Sequence, residues 1–281
     1  MPFTVVTPEA VRAKVASAPP ERRLRLLLAA VDGQVVGEVT AYVNDDGSTP
    51  GQGIAHPHVH PEHAGRGVGT ALVEAAEAHL AAEGVTTVYT WVFGTGRGAA
   101  FAGRHGYRPG RSGHLFHRDL RAPLPPRPEQ PAGVELRPFT DFAGDPRPLY
   151  EADVEASADE PSDTPVDAMS YESWLDHTWR EPLLDHALTF AAVVDGLVAA
   201  FSLAETDGHE RYSSGMTGTR RAFRGRGLAK LTKHESLRAS QAAGYTDAYT
   251  GNDAENAPMI AVNRWLGYRP AVTTQRFLKD L

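Results

Sequence analysis

A glycine-rich segment occurs twice in this chain, and the rest of the sequence repeats with it. Placing Gly67 on Gly227, 160 positions on, also superposes Gly84 on Gly244 and Tyr89-Thr90 on Tyr249-Thr250. The Gly-Tyr-Arg-Pro runs at 106–109 and 267–270 align after one extra residue. A repeat of this length is too long for a solenoid unit and is the size of a domain, so the chain reads as two copies of one fold. The 281 residues, 41% of them hydrophobic, suffice for two ordinary cores. Proline density over residues 121–131 forbids helix interiors and central strands and favours an extended spacer. The expected division is therefore a first domain over 1–120, a linker over 121–132 and a second domain over 133–281.

Each copy carries the same order of elements. Leu24 to Val31 and Val35 to Val43 flank Asp32-Gly33-Gln34, the pattern of a hairpin with a tight turn; Ala187 to Val194 and Leu197 to Glu205 flank Asp195-Gly196 in the same way. After the first glycine loop, Val68, Leu72, Ala76 and Leu80 recur at helical spacing and would bury one stripe against a sheet, with Gly84 ending the helix. The second helix runs from Leu228 to about Ala243 and ends at Gly244. Short strands follow at 86–93 and 246–250, so each strand, helix and strand forms a crossover onto neighbouring sheet positions. The glycine loops then lie at the carboxyl ends of strands, where open α/β sheets bind ligands. A glycine turn opening a helix leaves backbone N–H groups without internal partners, a nest suited to phosphate.

Composition narrows the classes. With no cysteine there is no disulfide framework, thiolate zinc site or cysteine nucleophile. The start, Met1-Pro2-Phe3-Thr4, lacks a signal-peptide pattern, and no apolar run approaches the ~18 residues that span a bilayer. A soluble, cytoplasmic protein is expected, as a monomer or homodimer. A net charge of −7 argues against nucleic acid as the main partner. His56, His58, His60 and His63 alternate as metal ligands on a strand would, but Pro57 and Pro61 interrupt that strand and no nearby Asp or Cys completes a set, so no metal is expected.

Arg224-Gly225-Arg226-Gly227-Leu228-Ala229 fits the pattern Arg/Gln-x-x-Gly-x-Gly/Ala, and Asn252, Asn256, Met259, Asn263 and Leu266-Gly267-Tyr268 extend the match downstream. In these motifs and in its order of elements the chain resembles the GNAT superfamily of acyl-CoA-dependent N-acetyltransferases. The resemblance implies an α/β (α+β) fold of two tandem GNAT-like domains, each a central, mixed, mostly antiparallel sheet flanked by helices. It further implies that acetyl-CoA is the co-substrate, its pyrophosphate held by the backbone of Arg224, Gly225, Arg226, Gly227, Leu228 and Ala229. By the same resemblance Thr217, Gly218 and Thr219 pair with pantetheine and polarise the acetyl carbonyl, and Asn252, Asn256 and Asn263 lie along the coenzyme. For Asn256 the other reading is a helix N-cap.

Acetyl transfer needs a neutral amine, and deprotonating an alkyl ammonium at pH 7 costs about 4–5 kcal/mol. A base is therefore required. The strand Arg211 to Thr219 holds no carboxylate, so the position many family members use is empty. Glu205 is the first candidate, against a solvated hairpin residue; Asp153, Glu155, Asp159 and Glu160 are alternatives that would serve as base or hold a cationic acceptor. Asn263 stands where many members carry the tyrosine that protonates the leaving thiolate, and Tyr249 is the available substitute, against a core tyrosine. Tyr171, Trp174 and Trp179 read either as an acceptor pocket or as core.

The first copy departs further: Ala64, Val92, Gly96 and Ala102 replace the motif's arginine, two asparagines and tyrosine, so it reads as a degenerate copy. The expected function is direct acetyl transfer to a primary amine of a small molecule in a ternary complex, with the C-terminal domain active. The tandem arrangement is similar to that of mycothiol synthase, whose acceptor is a cysteinyl amino-sugar conjugate. The alternative is an acyl-CoA-binding regulatory or scaffold protein without turnover.

Overall fold

The computed structural model describes residues 4–44, 49–94, 96–159 and 169–281. These form α1 (Pro8–Ala16), β1 (Arg25–Val31), β2 (Gln34–Val43), β3 (Gln52–Val59), α2 (Val68–Ala82), β4 (Thr87–Phe93), α3 (Arg97–Arg104) and β5 (Arg108–Asp119). They continue as β6 (Val134–Pro138), α4 (Arg147–Ser157), α5 (Tyr171–Trp174), β7 (Phe190–Val194), β8 (Leu197–Thr206), β9 (Arg211–Thr219), α6 (Leu228–Ala242), β10 (Asp247–Asp253), α7 (Ala257–Trp265) and β11 (Arg269–Asp280). The fold is mixed α/β, its strands mostly antiparallel, as the resemblance implied.

The chain forms two compact units that do not coincide with the sequence halves. One comprises residues 15–112 together with 273–281; the described residues of the other are 4–14, 113–159 and 169–272. Each is completed by a strand from the opposite half. In the N-terminal unit the strands run β1-β2-β3-β4-β11, with Thr274 to Asp280 of β11 antiparallel to Phe93 to Thr87 of β4. In the C-terminal unit the order is β5-β10-β9-β8-β7-β6, with Gly113 to Asp119 of β5 antiparallel to Asp253 to Asp247 of β10. A cut at 121–132 separates two lengths of sequence, yet it leaves each sheet holding the other's last strand.

Local sequence accounts for the repeated parts. Both hairpin turns place an Asp and a Gly in the left-handed region, Asp32 at φ 51° with Gly33 at 78°, and Asp195 at 50° with Gly196 at 77°. This is the turn whose twist matches antiparallel strands. The crossovers are parallel pairs, β3 with β4 and β9 with β10. In the N-terminal unit Leu72, Val73, Ala76 and Leu80 of α2 pack on Val39, Ala41, Ala55, Val88 and Phe277. In the C-terminal unit Leu228 and Leu231 of α6 pack on Ala192, Ala199 and Ala200, and Leu237 on Tyr212, Ala248 and Phe116. Phe201 and Leu203 of β8 pack instead with Leu149, Ala152 and Ala156 of α4 and Trp174 of α5. Alternation along the strand divides its side chains between two helical layers, except that a bulge at Ala199 puts it and Ala200 on the α6 side together.

One expectation needs correction. Pro57 does not interrupt its strand: β3 runs through it, paired with Val39 of β2, because pairing with β4 stops at Ile54 and no N–H is needed on that edge. The proline-rich stretch is anchored through its carbonyls. Arg118 Nη2 donates to the carbonyls of Ala122 at 3.1 Å and Pro123 at 2.7 Å, and His234 Nε2 bonds the carbonyl of Pro125 at 3.0 Å. No described helix is long and apolar enough to cross a membrane.

Candidate active site

The site grows from a fork in the C-terminal sheet. Strands β9 and β10 pair in parallel from Arg211 and Asp247 to Ser214 and Thr250, and then part. Beyond that point Thr217 to Thr219 pair only with β8, and Gly251 to Asp253 with β5. Between Ala204 and Ser202 a single residue, Leu203, stands against Gly215 and Met216, a bulge of the kind that re-aims strands beside active sites. The gap is the floor of a cavity of about 980 Å³, at the upper end of the range for small-molecule sites.

At the mouth of the cavity Gly225 and Gly227 adopt φ of 76° and 75°, separated from the strand by an extended Arg224. Gly227 caps α6 without any side-chain hydrogen bond, and the first intrahelical bond runs from Leu231 N–H to Gly227 O at 3.0 Å. The N–H groups of Leu228, Ala229 and Lys230 precede that ladder and belong to residues lining the cavity. Three donors converging at a helix start form an anion site.

Arg224, Gly225, Gly227, Leu228, Ala229, Thr217, Gly218, Thr219, Asn252 and Asn256 all line this one cavity. Arg226 does not; its guanidinium lies 5.3 Å from the Phe223 ring. Asn263 is fully buried, its amide donating to Asn252 Oδ1, so it orients a lining residue rather than lining the space itself. Asn256 caps α7, accepting from Met259 N–H at 3.3 Å, so its cap and its place in the lining coexist. Arg224 is neutralised in place: its Nη2 lies 2.5 Å from Asp159 Oδ2 and its Nε donates to the Thr219 carbonyl at 3.1 Å.

Among the carboxylates the structure divides the candidates. Asp159 is bonded by Arg221 and Arg224, which hold it down to about 2. Glu155 accepts from Arg220 Nε at 2.7 Å and is likewise lowered. Both are spent on ion pairs and poorly suited to receive a proton. Asp153 is raised by burial and accepts from Trp174 Nε1 at 2.8 Å and Ser157 Oγ at 3.1 Å. Glu160 lies outside the described residues. Glu205 does not itself line the cavity but lies behind Gly215. A Cβ on Gly215, which lines the cavity, would lie 3.2 Å from Glu205 Oε1. Burial first, and then the charge of Glu181, push Glu205 up to about 7.

Tyr249 is absent from the lining; its ring packs against His117 at 5.1 Å between centroids. Trp174 is buried in the core with Tyr171 and Trp179 packed around it. The residue that motif reasoning missed is Lys233, fully buried on α6 yet part of the cavity lining. Its only sequence signal is its place one helical turn before Leu237, on a face it shares with Ala229, Ser236 and Ser240. Of the four histidines, His58 Nδ1 pairs with Glu38 at 2.6 Å, and no described group of three His, Cys, Asp or Glu residues is arranged to hold a metal.

The packing behind the loop makes one prediction. A Cβ on Gly218 would come within 2.5 Å of Ala156 Cβ and 2.8 Å of the Phe201 ring. Gly218→Val is expected to cost about 1–3 kcal/mol by overpacking. Thermal denaturation followed by circular dichroism checks this; an unchanged midpoint contradicts the close packing of β9 on α4.

The chain is similar in sequence and in fold to known proteins. A model described as the Acetyltransferase (GNAT) family matches residues 4–107. The mycothiol acetyltransferase of Streptomyces coelicolor is 32% identical over 249 residues, covering 86% of this chain and 75% of the relative. That of Clavibacter sepedonicus is 29% identical over 280 residues, covering 95% and 88%. Among solved structures, a GCN5-related N-acetyltransferase from Sphaerobacter thermophilus superposes with a TM-score of 0.75 at 26% identity, covering 97% of this chain and 84% of that one. A tandem GNAT protein from the clavulanic acid biosynthesis pathway gives 0.76 at 23% identity, covering 96% and 87%, a likeness of fold. Repeated sequence, glycine nest, forked sheet and relatives matched over most of their length agree: the chain belongs to the GNAT family of acetyltransferases, as a tandem member.

Proposed function

We propose that the C-terminal unit binds acetyl-CoA in this cavity and transfers the acetyl group directly to a primary amine of a small molecule in a ternary complex. The observation that carries this reading is one continuous lining that runs from the Gly225/Gly227 nest to the end of the β9–β10 ladder, where Gly215 separates it from the Glu205 carboxyl. The nest takes the pyrophosphate, the parted strands take pantetheine, and the thioester comes to the fork. Glu205 receives the amine proton. The named relatives, mycothiol acetyltransferases, support a small-molecule acceptor. With no cysteine in the chain, transfer proceeds without an acyl-thiol enzyme intermediate. Positioning and stabilisation of the developing oxyanion supply most of the rate.

A second reading, that the N-terminal unit also holds coenzyme, is favoured by two observations. Gly65 and Gly67 adopt φ of 78° and 85°, the same nest, and β3 and β4 part after Ile54 and Tyr89 much as β9 and β10 part after Ser214 and Thr250. Calorimetric titration of acetyl-CoA separates them. One site is expected in wild type, lost in Gly227→Glu, where a carboxylate enters the nest, and retained in Gly67→Glu. The reverse pattern moves the coenzyme to the N-terminal unit, two sites establish the second reading, and no binding by wild type overturns both.

A further inference from the structure

We propose that Lys233 is the proton donor to the departing coenzyme A thiolate in the C-terminal unit, an inference that rests on the cavity being the acetyl-CoA site. Its ammonium sits at the closed end of the fork. Lys233 is 1% exposed, and its Nζ donates to Thr250 Oγ1 at 3.2 Å. Thr250 Oγ1 in turn donates to the Ser214 carbonyl at 3.1 Å. Ser214 and Thr250 are the last parallel pair before the strands part, and both line the cavity with Lys233. A thioester entering between the strands from the nest meets this ammonium at the end of its path.

Nothing else in the surroundings accounts for a buried cation here. Among the described residues no carboxylate forms an ion pair with Lys233, and Thr250 accepts only one of its three protons. An unpaired buried ammonium is costly, and such groups concentrate at functional sites. The Tyr268 ring lies 5.6 Å from Nζ, with Tyr212 and Arg118 around that phenol and Glu205 beside Gly215 as the other ionisable groups. Arg118 is committed to the carbonyls of Leu266, Ala122 and Pro123. Burial is the cause that lowers Lys233 to about 7. An ordinary thiol titrates near ~8.5, so proton transfer from this ammonium to a thiolate is downhill. Lys233 thereby fills the role left open by Asn263, which is bonded to Asn252.

The step balances. The amine nitrogen bonds to the acetyl carbon, the carbon–sulfur bond breaks with its electron pair going to sulfur, and Lys233 passes a proton to that sulfur. The surplus proton of the amine goes to Glu205. The products are the acetamide and coenzyme A thiol, and both side chains regain their starting forms by exchange with water.

The test uses the full chain, and compares wild type, Lys233→Met and Lys233→Gln in release of coenzyme A thiol from acetyl-CoA with a panel of primary amines. In wild type a basic limb is expected above about 7, where the buried ammonium loses its proton. In both variants kcat falls about 10²–10⁴-fold and that limb disappears, while desulfo-coenzyme A binds as before. A variant that keeps the rate and the basic limb overturns the proposal. So does loss of desulfo-coenzyme A binding in both variants, which makes the lysine a structural group. Failure of wild type to bind desulfo-coenzyme A, or to release thiol with any amine, instead overturns the reading of the cavity.

Discussion

Glu205→Gln is expected to lower kcat for acetyl transfer about 10²–10⁴-fold while leaving acetyl-CoA affinity unchanged. That is the usual contribution of a positioned general base. The amide is nearly isosteric and keeps the packing against Gly215, but it cannot take the amine proton. The pH profile carries the sharper signature. Glu205 is held at about 7 by burial and by Glu181, and its active form is the ionised one. Glu205 therefore produces the rise of activity with pH up to about 7 in wild type, and this acidic limb vanishes in the glutamine variant. If the variant keeps both its rate and its acidic limb, the base is another group, and Asp153, the other raised carboxylate, is next. Steady-state kinetics with a panel of primary amines, a cysteinyl amino sugar among them, supplies the measurement.

Phe277→Ala is expected to destabilise the N-terminal unit by about 3–5 kcal/mol, although the residue lies only four positions before Leu281. Phe277 is 5% exposed, pairs with Thr90 of β4, and packs in one core with residues of β2, β3, α2 and β4. Hydrogen exchange should report faster opening of β4 and α2 with acetyl-CoA binding intact. The reciprocal substitution, Phe116→Ala, removes a ring 1% exposed that packs with Leu237 and Ala248, and it should loosen the C-terminal unit. Loss of acetyl-CoA binding in Phe277→Ala, with β4 still protected, contradicts the exchange of strands.

The parts legible beforehand are those in which a few neighbouring residues decide the backbone. Asp-Gly at both hairpins and Gly-x-Gly before both helices need left-handed φ angles that those residues adopt at little cost, so turn and nest follow from a handful of letters. Apart from Arg226 and Asn263, the coenzyme-binding candidates share one lining, because their spacing follows a strand, a turn and a helix in succession. Glu205 was named for its position near a strand end, but its raised proton affinity comes from Glu181 and from burial, which sequence does not display. Asp159 and Glu155 stand as alternatives in the sequence, and only the fold shows arginines 220, 221 and 224 bonded to them.

By itself the sequence determined a duplicated α/β acetyltransferase, the place of each glycine nest and the helix that follows it, since these depend on local conformation and short-range periodicity. Only the tertiary structure decided which final strand completes which sheet. Residues 106–109 and 267–270 are the same Gly-Tyr-Arg-Pro, so β5 and β11 open alike and either edge offers the same backbone groups. The partner is chosen by packing between residues far apart in sequence, Phe277 against the α2 core and Phe116 against α6. The same holds for Lys233: a lysine on a helix is ordinary, and its burial at the end of a forked ladder is a fact of three dimensions.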